Sequence, residues 1–293
     1  MGMLDTPQYA AMLLFLIATM GALGLEVSLR DFQRVGRRKS LFIRALLLNF
    51  VAIPALGLLV IWILPMPPAT ADAILLLAFA PGGLSAIQFT SKRRDVLAFA
   101  GQLALLLTFL SLILTPPMLA FFLEERIDIV VPYARTFWFL AAFYLAPLAA
   151  GIFIRDRLPG LATRLAKPMA LIGTLAFILF VALTLSARQA AMALLDRADL
   201  LAMAGFILVT MLVGWLAGGT TEEDREVLAS ASSMRNVALA IAISAESFPD
   251  QTIQVPLVAF SALMVPPNML FLVGASLYRR WQSRHGIGWG ERP

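Results

Sequence analysis

The 293-residue sequence contains no cysteine, and charged residues make up only 14% of it. Without thiols the chain has no disulfide framework, no thiolate metal site and no redox pair. The low charge, together with 60% hydrophobic residues and a mean hydropathy of +0.85, excludes a soluble domain. This composition predicts an all-α polytopic membrane protein in which one membrane domain fills the chain.

Groupings of residues that perform catalysis are also missing. The single histidine, His285, lies in a basic C-terminal tail, and no apolar run holds a pair of carboxylates in its interior, since Glu246 stands near the end of one. We therefore expect neither an enzyme nor a metal centre. Basic residues are scattered between apolar runs and are not interleaved with aromatic residues, which argues against a nucleic-acid partner.

Apolar runs of about 20 residues recur along the whole chain, and each is long enough to cross a bilayer as a helix. The first run follows a short tail that contains Asp5 and has no basic start, so we interpret it as a retained helix and not as a signal peptide. The stretch "TTEEDRE" (220–226) predicts a helix start capped by Thr221. The sequence predicts nine spans, at residues 8–26, 41–64, 71–91, 96–122, 132–154, 168–187, 199–218, 227–247 and 254–278.

Lysine and arginine are distributed very unequally across these nine spans. Of the 23 basic residues, 18 fall on one side and four on the other, while Arg235 lies within a span. Because short cytoplasmic loops are rich in Lys and Arg, we predict a cytoplasmic tail at 279–293 and an N-terminus outside. The expected location is the plasma membrane, which is the inner membrane of a bacterial cell.

Two of the predicted spans contain interruptions. In the third, "LLLAFAPGGLSAIQFTS" (75–91), Pro81 precedes two glycines, and in the eighth, "ASASSMRNVALA" (229–240), serines precede Arg235 and Asn236. Proline removes a backbone donor and glycine adds freedom, so both helices are expected to break. Paired broken spans indicate a transporter's midplane site, because half-helix ends face an ion or substrate. Alternatively, Pro-Gly-Gly is a packing kink and the serines allow close helix approach.

Polar side chains near these interruptions are candidate substrate ligands. An arginine inside a membrane is expensive unless it meets a cavity, a partner or a substrate. Arg235 therefore attracts an anionic substrate or bonds the freed carbonyls of the broken helix, and the two roles can coexist. Each amide or hydroxyl can alternatively bond a neighbouring helix. The predicted substrate-binding residues are Ser85, Gln88, Thr90, Ser232, Ser233, Arg235, Asn236 and Asn268, and the predicted helix break is Pro81, Gly82 and Gly83.

The two interrupted stretches resemble the crossing helices of the bile acid:sodium symporter family, which carry a Pro-Gly-Gly element and a Gly-Met-Gln-Asn or Gly-Met-Arg-Asn-like element. "MGALGLEVSLRDFQRVGRRKSLFIRALLLNFVAIPALGLLV" and "LSLILTPPML" also resemble segments of that family. The resemblance implies a core domain with two crossing helices that moves against a panel domain. It further implies two inverted repeats, at about 8–122 and 132–278, the first without its opening helix.

The chain departs from the sodium-binding members of that family at the positions that ligate the ion. Those members have a Ser-Asn pair after Pro-Gly-Gly and a Glu three residues before the Met. The matching residues here are Ala86, Ile87 and Ala231. Hard cations need oxygen ligands, which these side chains do not supply. We therefore expect no cofactor and regard sodium coupling as doubtful.

The resemblance implies a secondary transporter that moves a small organic anion by alternating access. The expected partners are this anion and the lipid bilayer. The alternative is a ligand-binding or sensing membrane protein that derives from a transporter and performs no net transport. A sensor normally carries an output domain, and the sequence has no segment that could form one.

The charge distribution predicts opposite locations for the two ends of the chain. A cysteine that replaces Pro293 should react only with a reagent in the cytoplasm, and one that replaces Gly2 only with a reagent outside. The measurement is labelling of intact cells and of inverted vesicles with a membrane-impermeant maleimide. Labelling of both positions from the same side would contradict the nine-span arrangement.

Overall fold

The computed structural model describes residues 6–27, 39–82, 94–127, 133–187, 195–247 and 252–284. Within these ranges every regular element is a helix. In chain order the helices are α1 Thr6–Glu26, α2 Lys39–Ile63, α3 Pro68–Phe79, α4 Arg94–Ile127, α5 Ala134–Arg157, α6 Pro159–Ala187, α7 Arg197–Ala217, α8 Glu222–Ser233, α9 Val237–Ser247, α10 Gln254–Leu263 and α11 Val265–Arg284.

Eight helical segments in the described ranges are long and apolar enough to cross a membrane. They are α1, α2, α4, α5, α6 and α7, together with the pairs α8–α9 and α10–α11, each counted as one span. They confirm eight of the nine predicted spans. The third predicted span is described only in its first half, α3, because residues 83–93 lie outside the described ranges. The sixth span begins at Pro159, earlier than predicted, because the helix continues through Pro168.

Helix α1 packs along α6 and the second half of α5, and these three helices form what we call the three-helix group. Glycines make this close packing possible. A Cβ atom on Gly24 would lie 2.2 Å from the carbonyl oxygen of Leu148, and one on Gly151 would lie 2.5 Å from that of Gly21. The backbones of α1 and α5 therefore touch directly, as small residues allow in membrane helices.

The remaining helices pack around α8 and α9. Helix α8 lies against α7, α4 and α11, whereas α9 lies against α10, α3 and two helices of the three-helix group, α1 and α5. Thr221 caps α8, since its Oγ1 accepts a hydrogen bond from the Asp224 backbone N–H at 3.2 Å, which confirms the predicted helix start. The division into a core and a panel domain, and the inverted repeats, stay predictions.

Burial separates the crossing segment from the lipid-facing surface. Trp62, Phe121, Leu201 and Leu270 are each more than 70% exposed, which fits contact with acyl chains. By contrast, the apolar stretch within the segment from Glu222 to Ser247 is entirely buried inside the protein. This segment contains the second predicted interruption, so its polar side chains meet protein atoms and not lipid.

The close approach of α1 and α5 predicts a clear cost for a single added methyl group. Gly24→Ala should lower the free energy of unfolding by ~1–3 kcal/mol, because backbone atoms cannot move aside as a side chain can. The matched control is Gly205→Ala in α7, where an added Cβ meets no atom within 4 Å. Thermal melting of both variants in the same detergent measures the difference, and equal melting temperatures would contradict this packing.

Candidate functional site

The two interrupted segments, the end of α3 and the junction between α8 and α9, cross at their breaks. Helix α3 ends at Phe79 and is followed by Pro81 and Gly82, while α8 ends at Ser233 and α9 begins at Val237. Both predicted breaks are therefore present. A Cβ atom on Gly82 would lie only 1.7 Å from the Ala231 carbonyl oxygen, so the first segment can pass the second only with glycine at this position. Gly83 lies outside the described residues.

The end of α3 leaves carbonyl groups that no further helical turn can satisfy. All four carbonyls of residues 77–80 nevertheless accept hydrogen bonds from within the protein. The Thr115 hydroxyl of α4 donates to the Phe79 carbonyl at 2.7 Å, and the Asn236 backbone N–H donates to the Ala80 carbonyl at 3.4 Å. The second crossing segment thus closes the end of the first.

Arg235 contributes most to this closure. Its Nε donates to the Leu77 carbonyl and its Nη2 to the Ala78 carbonyl, both at 2.8 Å, and its Nη1 donates to Asn49 Oδ1 at 2.7 Å and to the Ser232 carbonyl at 3.4 Å. The residue is only 1% exposed. The expectation that Arg235 bonds the freed carbonyls of a broken helix is therefore confirmed, and its contact with substrate stays a prediction.

Asn49, whose Oδ1 accepts from the Arg235 guanidinium, lies in a short π-helical turn, Leu48–Ala52, inside α2. Its Oδ1 also accepts from the Gly82 backbone N–H at 3.4 Å, while its Nδ2 donates to the Ala45 carbonyl. One amide oxygen therefore ties α2 to both crossing segments. Pro54 follows the π-helical turn and cannot donate a backbone hydrogen bond, which favours an irregular turn just before it.

Asn236 faces a different helix. Its Nδ2 donates to the Tyr144 hydroxyl, and its Oδ1 accepts from the Leu239 backbone N–H at 3.1 Å and thereby caps α9. Tyr144 is fully buried in a second π-helical turn, Ala141–Leu145 of α5, and its hydroxyl also faces the Thr108 hydroxyl of α4. Asn236 thus links the second crossing segment to the three-helix group.

Of the other described candidate residues, the side chains of Ser233 and Asn268 hydrogen-bond within the protein, and that of Ser232 does not. The Ser233 hydroxyl lies 2.8 Å from both the Ala229 carbonyl and Asn268 Oδ1, which ties α8 to α11. Ser232 is buried and its hydroxyl packs against Gly214 of α7. The contacts of Ser233 and Asn268 match the alternative in which such side chains bond neighbouring helices, whereas the Ser232 hydroxyl has no hydrogen-bond partner among the described residues. Substrate contact stays a prediction for all three residues. Outside the described residues lie Ser85, Ala86, Ile87, Gln88 and Thr90.

Sequence reasoning did not identify Asn49, Thr115 or Tyr144 as parts of this site. Each lies in an otherwise apolar span, where one amide or hydroxyl is ordinary helix packing. A weak signal exists for two of them, since Asn49 and Tyr144 precede Pro54 and Pro147 by three to five residues. A proline inside a span disturbs the helix before it, and π-helical turns are frequent at functional sites.

Comparison with models of protein families identifies a match over most of the chain. A family model described as the Sodium Bile acid symporter family matches residues 13–194, which is more than half of the chain. The match includes the first crossing segment and Tyr144, and it ends before Arg235 and Asn236. No curated protein sequence matches the chain.

The contacts of Arg235 predict a large loss of stability when the guanidinium is removed. Arg235→Gln should lower the free energy of unfolding by ~2 kcal/mol or more, because the buried Ala78 carbonyl loses its donor and the Leu77 carbonyl keeps only the Ala80 backbone N–H. Arg235→Lys should give an intermediate loss, since lysine keeps the charge without the planar fork.

The measurement is thermal melting without ligand, and the control is Arg197→Gln, which changes an exposed arginine at the start of α7. If Arg235→Gln melts at the same temperature as Arg197→Gln, the guanidinium does not hold the end of α3.

Proposed function

Because the chain belongs to the Sodium Bile acid symporter family, we propose that it is a secondary transporter of a small organic anion that works by alternating access. The substrate binds where the two broken helices cross, at the boundary with the three-helix group. Asn236 carries this proposal, because it belongs to the crossing segment and contacts Tyr144 of α5. A ligand at this boundary touches both parts that move in such a mechanism.

The preference for an anion follows from uncompensated positive charge. All described hydrogen-bond partners of Arg235 are neutral oxygens, so none of them cancels the charge of the guanidinium. The N-terminus of α9 begins two residues later and adds the positive end of a helix dipole. Inside a protein, where screening is weak, this potential favours a carboxylate or another anion beside Asn236.

Transport without sodium is the second part of the proposal. The described carbonyls at the end of α3 could ligate a cation at this break, but they already accept hydrogen bonds from Arg235, Thr115 and Asn236. Ala231 offers no side-chain oxygen, and its carbonyl lies against Gly82. The guanidinium therefore supplies a fixed positive charge where a bound cation would supply a transient one. Ala86 and Ile87, which lie outside the described residues, have no side-chain oxygen either.

Ligand-dependent thermal stabilisation tests the proposal. A ligand that binds only the folded state raises the melting temperature by mass action. We expect stabilisation of the purified protein by at least one member of a panel of small organic acids, equally in sodium and in potassium at the same ionic strength. Dependence of the shift on sodium would contradict the sodium-independent mechanism.

A pair of asparagine variants separates the site from its surroundings. Asn236→Ser keeps an oxygen that can cap α9 but removes the amide. The binding free energy of the ligand, obtained from the concentration dependence of the melting-temperature shift, should therefore weaken by roughly 1 kcal/mol or more, the typical net value of a hydrogen bond. Asn268→Ser should lower ligand-free stability and retain the ligand-induced stabilisation, because Asn268 of α11 bonds Ser233 of α8, away from the boundary with the three-helix group.

A shift that is retained in Asn236→Ser and lost in Asn268→Ser would move the site to α11. Uptake of the stabilising acid into proteoliposomes then distinguishes a transporter from a membrane protein that binds the same ligand without moving it.

A further inference from the structure

Two polar contacts between α5 and α9 lie at opposite ends of the same pair of half-helices. Arg135 Nε lies 2.6 Å from Glu246 Oε2, and Asn236 donates to the Tyr144 hydroxyl. The intervals between the contacts span nine residues in α5 and ten in α9, which is about 14 and 15 Å of helix. The matching lengths mean that the two antiparallel half-helices run side by side from one contact to the other.

The face of α5 that carries Tyr144 is buried along this length. Thr136, Leu140 and Tyr144 recur every four residues, as positions on one face of a helix do. Their exposed fractions are 0%, 1% and 0%, whereas Trp138 on the opposite face is 70% exposed. Leu140 therefore lies between the ion pair and the Tyr144–Asn236 contact.

The two halves of the second broken span, α8 and α9, have different neighbours. Helix α9 packs against α1 and α5, which belong to the three-helix group, whereas α8 packs against α4, α7 and α11, which do not. The boundary that a substrate must enter is therefore closed on the α9 side of the crossing point. The charge distribution of the sequence predicts that this is the outer side.

The ion pair is built asymmetrically. The Glu246 side chain is only 4% exposed, while that of Arg135 is 62% exposed. An exposed ion pair contributes little, but a buried carboxylate that loses its partner is strongly destabilised until water reaches it. Separation of α5 from α9 would admit that water. Packing of α5 against α9 buries the Glu246 carboxylate, and Arg135 favours this closed arrangement because it pairs with that carboxylate.

We propose that Arg135 and Glu246 form a latch that holds the α5–α9 boundary closed, and that this pair separates whenever the crossing site opens on the α9 side. The latch rests on the proposed alternating-access function, because only a protein whose site opens to two sides needs to release it. Tyr144 and Asn236 form the inner end of the same closure.

A single cysteine at Leu140 reports on the latch. The sequence has no native cysteine, so Leu140→Cys gives one thiol, and the full chain purified in detergent can be titrated with a soluble maleimide. Labelling should be slow in this parent protein and fast after denaturation. Equally fast labelling before and after denaturation would show an open boundary and overturn the proposal.

Changes at the ion pair should then accelerate labelling in a defined order. Arg135→Gln should increase the rate about tenfold, the factor that corresponds to about 1.4 kcal/mol in an opening equilibrium. Glu246→Gln should increase it less, because it leaves no buried charge. Arg135→Lys should stay close to the parent, since it keeps the charge. The control, Arg157→Gln, changes a cation at the far end of the same helix, where it lies over Phe153, and should not alter the rate.

Unchanged labelling in both Arg135→Gln and Glu246→Gln would overturn the latch, and so would equal acceleration by Arg157→Gln. The labelling assay requires no substrate, so its outcome is independent of whether an organic anion binds. If the latch fails while organic acids still stabilise the protein, the transporter proposal survives without it. If accelerated labelling occurs but no acid is bound or transported, the latch exists and the proposed function is wrong.

Discussion

The guanidinium of Arg235 and the carbonyls at the end of α3 form the interaction on which the crossing site depends. A helix that stops inside a membrane leaves acceptors that lipid cannot satisfy. Here the side chain of one broken helix binds the carbonyls of Leu77 and Ala78 in the other, and backbone from the same segment binds the Ala80 carbonyl. The breaks are therefore mutually dependent, since each supplies what the other lacks.

This arrangement also fixes the electrostatics of the site. A guanidinium has five donors and no acceptors, and it remains charged in proteins. Its described partners are neutral, so the carbonyls stabilise the cation without cancelling its charge. The result is a permanent positive potential beside Asn236, which is the basis of the proposed recognition of an anion without a bound sodium ion. Membership of a family named for sodium symport does not by itself require sodium at this site.

Close glycine contacts within the three-helix group contrast with polar contacts at its boundary with α9. Gly24 and Gly151 bring the backbones of α1 and α5 into direct contact. Toward α9, α5 instead presents Tyr144 and Arg135, whose partners are an amide and a carboxylate. Hydrogen bonds and ion pairs can separate when water enters, whereas interlocked backbones cannot slide without unpacking. The boundary where motion is proposed is therefore the one with separable contacts.

The sequence by itself determined that the chain is a helical membrane protein, and it determined the eight described spans, both helix breaks and the Thr221 cap. These follow from composition, run length, proline and capping chemistry, all of which act within a few residues of the chain. The family followed from short motifs of the same kind. Only the tertiary structure decided what Arg235, Ser233 and Asn268 contact, and it alone introduced Asn49, Tyr144 and the Arg135–Glu246 pair. Arg235 bonds Asn49 from 186 positions away, and the hydrophobic pattern that fixes each span carries no information about which distant polar group it will meet.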